Sequence, residues 1–333
     1  MVSSLLVNVQ KFVDVLICQF CQCANLLIGS STHRLIDSLI MKLALYSQKY
    51  KAAYQPLLAA IFTELLAHKD QIVVEADLWR CYKGQLSEEV SVQTFRSVAD
   101  LPPDTNLMLT IGGDGTILWA MTYIQHLQIP ILGINAGRLG FLATISEGEI
   151  ASMFANLRAG QYTVEKRSVL QITDSDGTPI SPLNFALNEV TVIRQNSTAM
   201  ITVEAYLNGK YLTSYWADGL IISTPTGSTG YSLSCGGPVI MPHSKTLVLT
   251  PIAPHNLNAR PLIIPDDTEI TLQIYNREGC YLATYDARSC ILPCKTAVKI
   301  NLAPFTLGTI CLEDNDFFKT LRHKLLWGED KRN

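Results

Sequence analysis

Three stretches of this 333-residue chain carry residue types and spacings that could do chemistry. The first is Thr110-Ile111-Gly112-Gly113-Asp114-Gly115-Thr116, a loop poor in side chains that holds one carboxylate. Glycine reaches positive φ at little steric cost and leaves no Cβ between backbone and ligand. A helix opening just after such a loop adds unpaired N–H groups and a positive dipole end, which favour an anion. Local composition leaves two readings open: a phosphate site with a built-in acid or base, or a tight βα turn whose Asp caps the helix.

The second stretch is Ser223-Thr224-Pro225-Thr226-Gly227-Ser228-Thr229-Gly230-Tyr231-Ser232. Its hydroxyls donate and accept hydrogen bonds, Gly227 and Gly230 admit a ligand to the backbone, and Tyr231 offers a flat ring or a phenol. By itself it also reads as a surface loop of small polar residues. The third is a scattered pair, Asn188-Glu189 and Asp218-Gly219. An amide can bond a base edge or a ribose hydroxyl, and a carboxylate suits ribose hydroxyls or a carboxamide N–H. Taken singly, each is also an ordinary strand-end turn.

Other chemistries lack their residues. There is no G-x-x-x-x-G-K-[ST], no G-x-G-x-x-G after the first strand, no G-x-S-x-G and no H-E-x-x-H. His33, His68, His126, His243, His255 and His323 show no ligand spacing.

These stretches need elements to position them, and the hydrophobic pattern supplies an alternation of strands and helices from Met41. Leu43 to Tyr46 reads as the first strand, and Tyr54, Leu57, Leu58, Ile61, Phe62, Leu65 and Leu66 recur at helical spacing. Ile72 to Val74, Leu107 to Ile111 and Ile131 to Ile134 read as strands, with helices at Thr116 to Leu127 and Ser146 to Leu157. Such alternation implies a parallel sheet under covering helices. Ligands then bind beyond the carboxyl ends of the strands, which puts Gly112–Thr116 and Asn135–Gly137 in one crevice.

Beyond Gly160 the period becomes two. Asn208-Gly209 between Val203 to Leu207 and Lys210 to Leu212 predicts a hairpin with a type I′ turn. Further strands at Gly219 to Ser223, Thr246 to Thr250, Glu269 to Tyr275 and Ala297 to Leu302 imply a mostly antiparallel second domain. Asp316 to Trp327 returns to helical spacing. The expected division is 1–40 as an extension outside the fold, 41–163 as an α/β nucleotide-binding domain to which 304–333 returns, and 164–303 as a β-rich domain.

Composition narrows the partners. Hydrophobic residues make up 48% and charged residues 17%, the composition of a globular chain. A net charge of −3 argues against nucleic acid or an anionic membrane as partner. Leu5 to Ile28 is apolar but broken by Asn8, Gln10, Lys11, Asp14, Gln19, Gln22 and Asn25, too many polar groups for a span. Nine scattered cysteines point to a reducing cytoplasm, and Cys18, Cys21 and Cys23 have no second pair at zinc spacing.

Taken together, the motifs resemble the NAD kinase family, of the bacterial ATP-NAD kinase type. Gly112-Gly113-Asp114-Gly115-Thr116 looks like its phosphate-binding motif, which lipid kinases and phosphofructokinases share in related form. More specific are Asn135-x-Gly137-x-Leu139-Gly140-Phe141-Leu142, Leu187-Asn188-Glu189, and Asp218-Gly219 followed by Ser223-Thr224-Pro225-Thr226-Gly227-Ser228-Thr229. They occur in family order over a resemblance that runs from Met41 to the C-terminus, and it supports Met41 as the domain start.

The resemblance implies an α/β domain, a β-rich domain and a final helix returning to the first. It also implies ATP-dependent phosphorylation of the adenosine-ribose 2′-hydroxyl of NAD to give NADP, with Mg²⁺ or another divalent cation, by a homodimer or homotetramer. By the same resemblance Asp114 matches the catalytic base, and Gly112, Gly113, Gly115 and Thr116 match the phosphate loop. Asp114, Gly115, Asn188, Glu189, Asp218, Thr229, Gly230, Tyr231 and Ser234 match NAD-contacting positions.

Two departures stand out: Gly230 where the family usually has Ala, and Asp286-Ala287-Arg288 where Asp-Gly is commoner. The glycine loop contains no Lys or Arg, which makes Mg²⁺ more necessary. Asp114→Asn is expected to fold normally, bind NAD and lose turnover. The rival readings are a lipid kinase and a non-catalytic NAD(P) sensor.

Overall fold

The computed structural model describes residues 40–86, 89–137, 140–195, 199–312 and 317–326. The expected N-terminal extension, with its three cysteines, and Leu139 of the motif lie outside the described residues.

The first part of the chain runs β1 (Lys42–Tyr46), α1 (Gln55–Ala67), β2 (Gln71–Glu75), α2 (Ala76–Tyr82), β3 (Gln93–Phe95) and β4 (Leu107–Gly112). It continues through α3 (Asp114–Ile124), β5 (Ile131–Asn135), β6 (Ala143–Ile145), α4 (Ile150–Ala159) and β7 (Tyr162–Arg167). The second part is β8 (Leu170–Asp174), β9 (Phe185–Ala186), β10 (Glu189–Ile193), β11 (Ile201–Leu207), β12 (Lys210–Ala217) and β13 (Gly219–Ser223). A short α5 (Tyr231–Ser234) precedes β14 (Thr246–Ile252), β15 (Leu262–Pro265), β16 (Ile270–Tyr275), β17 (Cys280–Tyr285), β18 (Arg288–Pro293) and β19 (Val298–Leu302). The chain then enters β20 (Leu307–Leu312) and α6 (Phe317–Leu325).

The first sheet has the order β3-β2-β1-β4-β5-β20-β7, with β6 beside β5. Its pairs are parallel except β20 with β7. Both faces are covered. Leu57, Leu58, Ile61, Phe62 and Leu65 of α1 pack with Met153, Phe154 and Leu157 of α4 against Leu43, Leu45, Leu109 and Ile111. Ile117, Ala120, Met121 and Ile124 of α3 cover the opposite face through Ala44, Met108 and Ile131. Burial on both faces explains why these strands read as continuous apolar runs.

The remaining strands form two antiparallel sheets, β15-β14-β13-β10-β17-β18 and β12-β11-β16-β19-β8-β9. Alternate residues of both enter one core: Ile201, Val203 and Ala205 from one sheet meet Val190, Val192, Leu220 and Ile222 from the other. The predicted I′ turn is present, with Asn208 at φ 48° and Gly209 at φ 74° between the paired Leu207 and Lys210. Val169, Phe185 and Leu187 leave this sandwich to join the apolar cluster under α3. Phe317 of α6 lies against Phe141, with ring centroids 6.4 Å apart, so the final helix returns to the first sheet.

Sequence periodicity missed β3, β6, β7, β9, β10, β15, β17, β18, β20, α2 and α5. Most are short or are edge and surface strands such as β18, whose alternation is half-exposed and weak. The first sheet draws β7 and β20 from either side of the sandwich, a long-range pairing that no local pattern encodes.

Candidate active site

The strand order reverses between the parallel neighbours β1 and β4: β1 is followed outward by β2 and β3, and β4 by β5 on the other side. The loops leaving β1 and β4 therefore diverge and leave a crevice, the place where open α/β sheets bind ligands. The glycine loop sits there. Gly112 has φ 155°, and a Cβ on it would lie 2.1 Å from Thr116 Oγ1, so the turn admits only glycine at that position. The Thr116 N–H donates to Gly113 O at 2.9 Å, which closes the first turn of α3. Gly113 and Gly115 are exposed at the helix N-terminus and line a pocket with Thr116.

The other wall of that pocket is Ser47, Gln48, Lys49, Lys51 and Tyr54, on the segment after β1. Asn135–Gly137, expected in the same crevice, flanks the loop through the Ala136 N–H to Gly112 O at 3.1 Å.

Asp114 neither caps its helix as a free turn residue nor hangs in the pocket. Its Oδ2 accepts the Phe141 N–H at 2.8 Å, and its Oδ1 accepts those of Leu142 and Ala143 at 3.0 Å each. Gly140 makes this possible, because a Cβ there would lie 1.9 Å from Asp114 Oδ1. The carboxylate thus staples the segment after β5 to the glycine loop. A carboxylate has about four acceptor sites, so one remains, on Oδ2. The expectation that Asp114→Asn folds normally is amended accordingly: the amide turns a donor toward a backbone N–H.

The second glycine stretch is wound on main-chain atoms of the Asn188 pair. Asn188 O accepts the Thr224 N–H at 2.9 Å, and Thr224 Oγ1 donates to Leu187 O at 2.6 Å. Gly227 lies so close that a Cβ would sit 2.1 Å from Asn188 O. Ser223, Thr224, Ser228 and Ser232 are fully buried and spend their hydroxyls internally: Ser228 Oγ donates to Pro225 O at 2.7 Å, and Ser232 Oγ pairs with Thr250 Oγ1 at 2.8 Å. The residues left toward solvent are Thr229, Gly230, Tyr231 and Ser234, and the Tyr231 ring is 41% exposed.

Glu189 lies beneath Gly230. Its Oε2 is buried without a hydrogen-bond partner, and a Cβ on Gly230 would come within 3.3 Å of it. Burial, followed by the negative charge of Asp286, pushes the Glu189 carboxyl up to about 8, against the lowering effect of a Tyr231 N–H. Asp218 is less free than expected, since Arg194 Nε meets its Oδ1 at 2.9 Å.

Asp286, singled out in the sequence only as part of a departure from the family pattern, has a structural role. It takes a left-handed φ of 53° in the β17–β18 turn, which Asp tolerates better than most residues. Its buried carboxylate accepts the N–H groups of Leu187 and Asn188 at 2.8 Å each. Burial raises its pKa, while those donors and Arg288 oppose the shift. Arg288 binds the carbonyls of Leu183 and Phe185 and stacks over Phe185 and Tyr285. That is a scaffolding role.

Leu187 ties the two regions together. It packs in one cluster with Ile117 of α3 and Ala143, directly under the segment held by Asp114. Fold and site together define a two-lobed nucleotide-binding enzyme.

The comparisons are specific. Residues 59–162 match the model of the ATP-NAD kinase N-terminal domain, and residues 187–311 match that of the ATP-NAD kinase C-terminal domain. The chain is 48% identical over 294 residues to the NAD kinase of Flavobacterium psychrophilum, covering 88% of this chain and 100% of that one. It is 41% identical over 292 residues to the NAD kinase of Bacteroides fragilis, covering 88% and 100%. Among solved structures it resembles yeast NADH kinase complexed with NADH, with TM-score 0.78, 22% identity and 87% and 89% coverage. It also resembles an Archaeoglobus fulgidus NAD kinase in complex with ATP, with TM-score 0.63, 23% identity and 86% and 99% coverage. The chain belongs to the NAD kinase family and is an enzyme with that activity.

Proposed function

We propose that the chain transfers the γ-phosphoryl group of ATP to the adenosine-ribose 2′-hydroxyl of NAD, giving NADP, with Asp114 as general base. The observation that carries this is the Asp114 carboxylate, held by three N–H groups at the N-terminus of α3 beside the pocket of Gly113, Gly115 and Thr116. A ribose hydroxyl is a poor nucleophile, and a fixed carboxylate can accept its proton as the phosphoryl group moves. The free lone pair of Oδ2 is the acceptor. The transition state gathers charge on oxygen, which the N–H groups of Gly113 to Gly115 stabilise. The archaeal and yeast neighbours, solved with ATP and NADH, support both ligands.

The dinucleotide then takes the exposed rim of the second stretch. Thr229, Gly230, Tyr231 and Ser234 face it, while Asn188, Glu189 and Asp218 offer polar contacts and Gly112 and Gly115 the turn around the phosphates. Among the described residues no three His, Cys, Asp or Glu side chains gather as metal ligands. Mg²⁺ would enter on the triphosphate, whose phosphates and waters supply most of its ligands.

In this reading 41–163, with 304–333 returning to it, is the nucleotide-binding domain and 164–303 the NAD-binding domain, in a homodimer or homotetramer of the cytoplasm. Among the described residues no helix is long and apolar enough to cross a membrane. Incubation with NAD, ATP and Mg²⁺ should yield NADP. Phosphorylation of a lipid instead would favour the lipid kinase, and NAD binding without product would favour the sensor.

A further inference from the structure

We infer that Lys49 and Lys51, on the segment after β1, are the cationic half of the triphosphate site and position the donor's phosphates. The inference rests on the donor reading above. The glycine loop contains no Lys or Arg, yet phosphoryl transfer needs positive charge around the migrating group. The fold supplies it from about 60 residues upstream.

Lys49 and Lys51 line one wall of the switch-point pocket, and Gly113, Gly115 and Thr116 at the start of α3 line the other. Among the described residues they are the only charged side chains in that lining. Asp114 stands beside the pocket, outside its lining, with its carboxylate held by the N–H groups of Phe141 to Ala143. The two ammonium groups and the helix N-terminus both favour an anion in the pocket.

The cavity is about 230 Å³, room for a phosphate chain with its waters at roughly 30 Å³ of liquid volume per water. The segment is anchored at both ends. The Ser47 hydroxyl donates to Lys49 O at 3.3 Å, and buried Tyr54 lies under the Lys51 ammonium, 5.8 Å from ring centroid to Nζ. Lysine acts here as a point charge, which suits phosphates that shift during transfer.

The test compares wild type with Lys49→Gln, Lys51→Gln, the double variant and the corresponding Arg variants. In the double variant KM for ATP should rise about tenfold, the scale of two partly solvated ion pairs. KM for NAD and the thermal midpoint should stay where they were, and Arg at both positions should restore KM for ATP. Calorimetric titration with inorganic tripolyphosphate should show the same weakening. An unchanged KM for ATP and unchanged tripolyphosphate affinity overturn the inference. So does a rise in KM for NAD alone, which would give the pocket to the dinucleotide. If wild type makes no NADP, the donor reading fails, and the tripolyphosphate titration still decides the lysines.

Discussion

Asp114→Asn tests the structure more sharply than a simple loss of a base. The wild-type carboxylate accepts three backbone N–H groups at 2.8, 3.0 and 3.0 Å. In the variant the carbonyl oxygen keeps the Leu142 and Ala143 bonds, now to a neutral acceptor, and the amide NH₂ faces the Phe141 N–H. A bond to a charged acceptor contributes about 1.5–3 kcal/mol and a neutral one about 1, so each retained bond weakens by about 1 kcal/mol. The unsatisfied Phe141 N–H costs about 1–3 kcal/mol more.

The sum is about 3–5 kcal/mol, and at about 2 °C per kcal/mol the melting midpoint should fall by about 6–10 °C. Scanning calorimetry reads the midpoint, and hydrogen exchange reads the amides of Phe141, Leu142 and Ala143, which should all exchange faster. NADP formation should drop by about 10²–10⁴. An unchanged midpoint with unchanged exchange would refute the stapling role, and turnover near wild type would remove Asp114 as the base.

Glu189→Gln should flatten the pH dependence of stability. With its folded pKa pushed up to about 8 from 4.5, Glu189 stays protonated while the unfolded chain ionises, so stability falls as pH rises from about 4.5 to 8. Melting scans across that window should show the fall in wild type and a shallower one in the variant. Gly227→Ala should abolish soluble folded protein, because its Cβ would meet Asn188 O at 2.1 Å and carbonyl carbon at 2.4 Å, both main chain. Gly230→Ala should fold, since its Cβ contacts at 3.2 and 3.3 Å need shifts of only tenths of an ångström; soluble yield reads both. Iodoacetamide should label exposed Cys81 well before Cys311, whose thiol burial pushes up to about 11.

Much of the site was legible along the chain. The order strand, Gly112-Gly113-Asp114-Gly115-Thr116, helix is local, so spacing alone located a glycine turn at a helix N-terminus, with a phosphate site as one of its two readings. The Asn208-Gly209 turn was equally local. Apolar runs separated by helical periods implied the parallel sheet, and the change to period two implied the sandwich.

What only tertiary structure decided are relations between distant residues. Which hydroxyls of Ser223 to Ser232 face solvent depended on Asn188, 35 residues away, and Asp286, about 100 away, holds that residue in turn. The true partners of Asp114 are amides 27 to 29 positions downstream. The lysines missing from the glycine loop come from the other side of the switch point. Backbone turns are encoded by neighbours because steric limits on φ act over a few residues. Charge and hydrogen bonding act through space, and the sheet order brings β1 beside β4 and sets Lys49 and Lys51 across a pocket from the glycine loop.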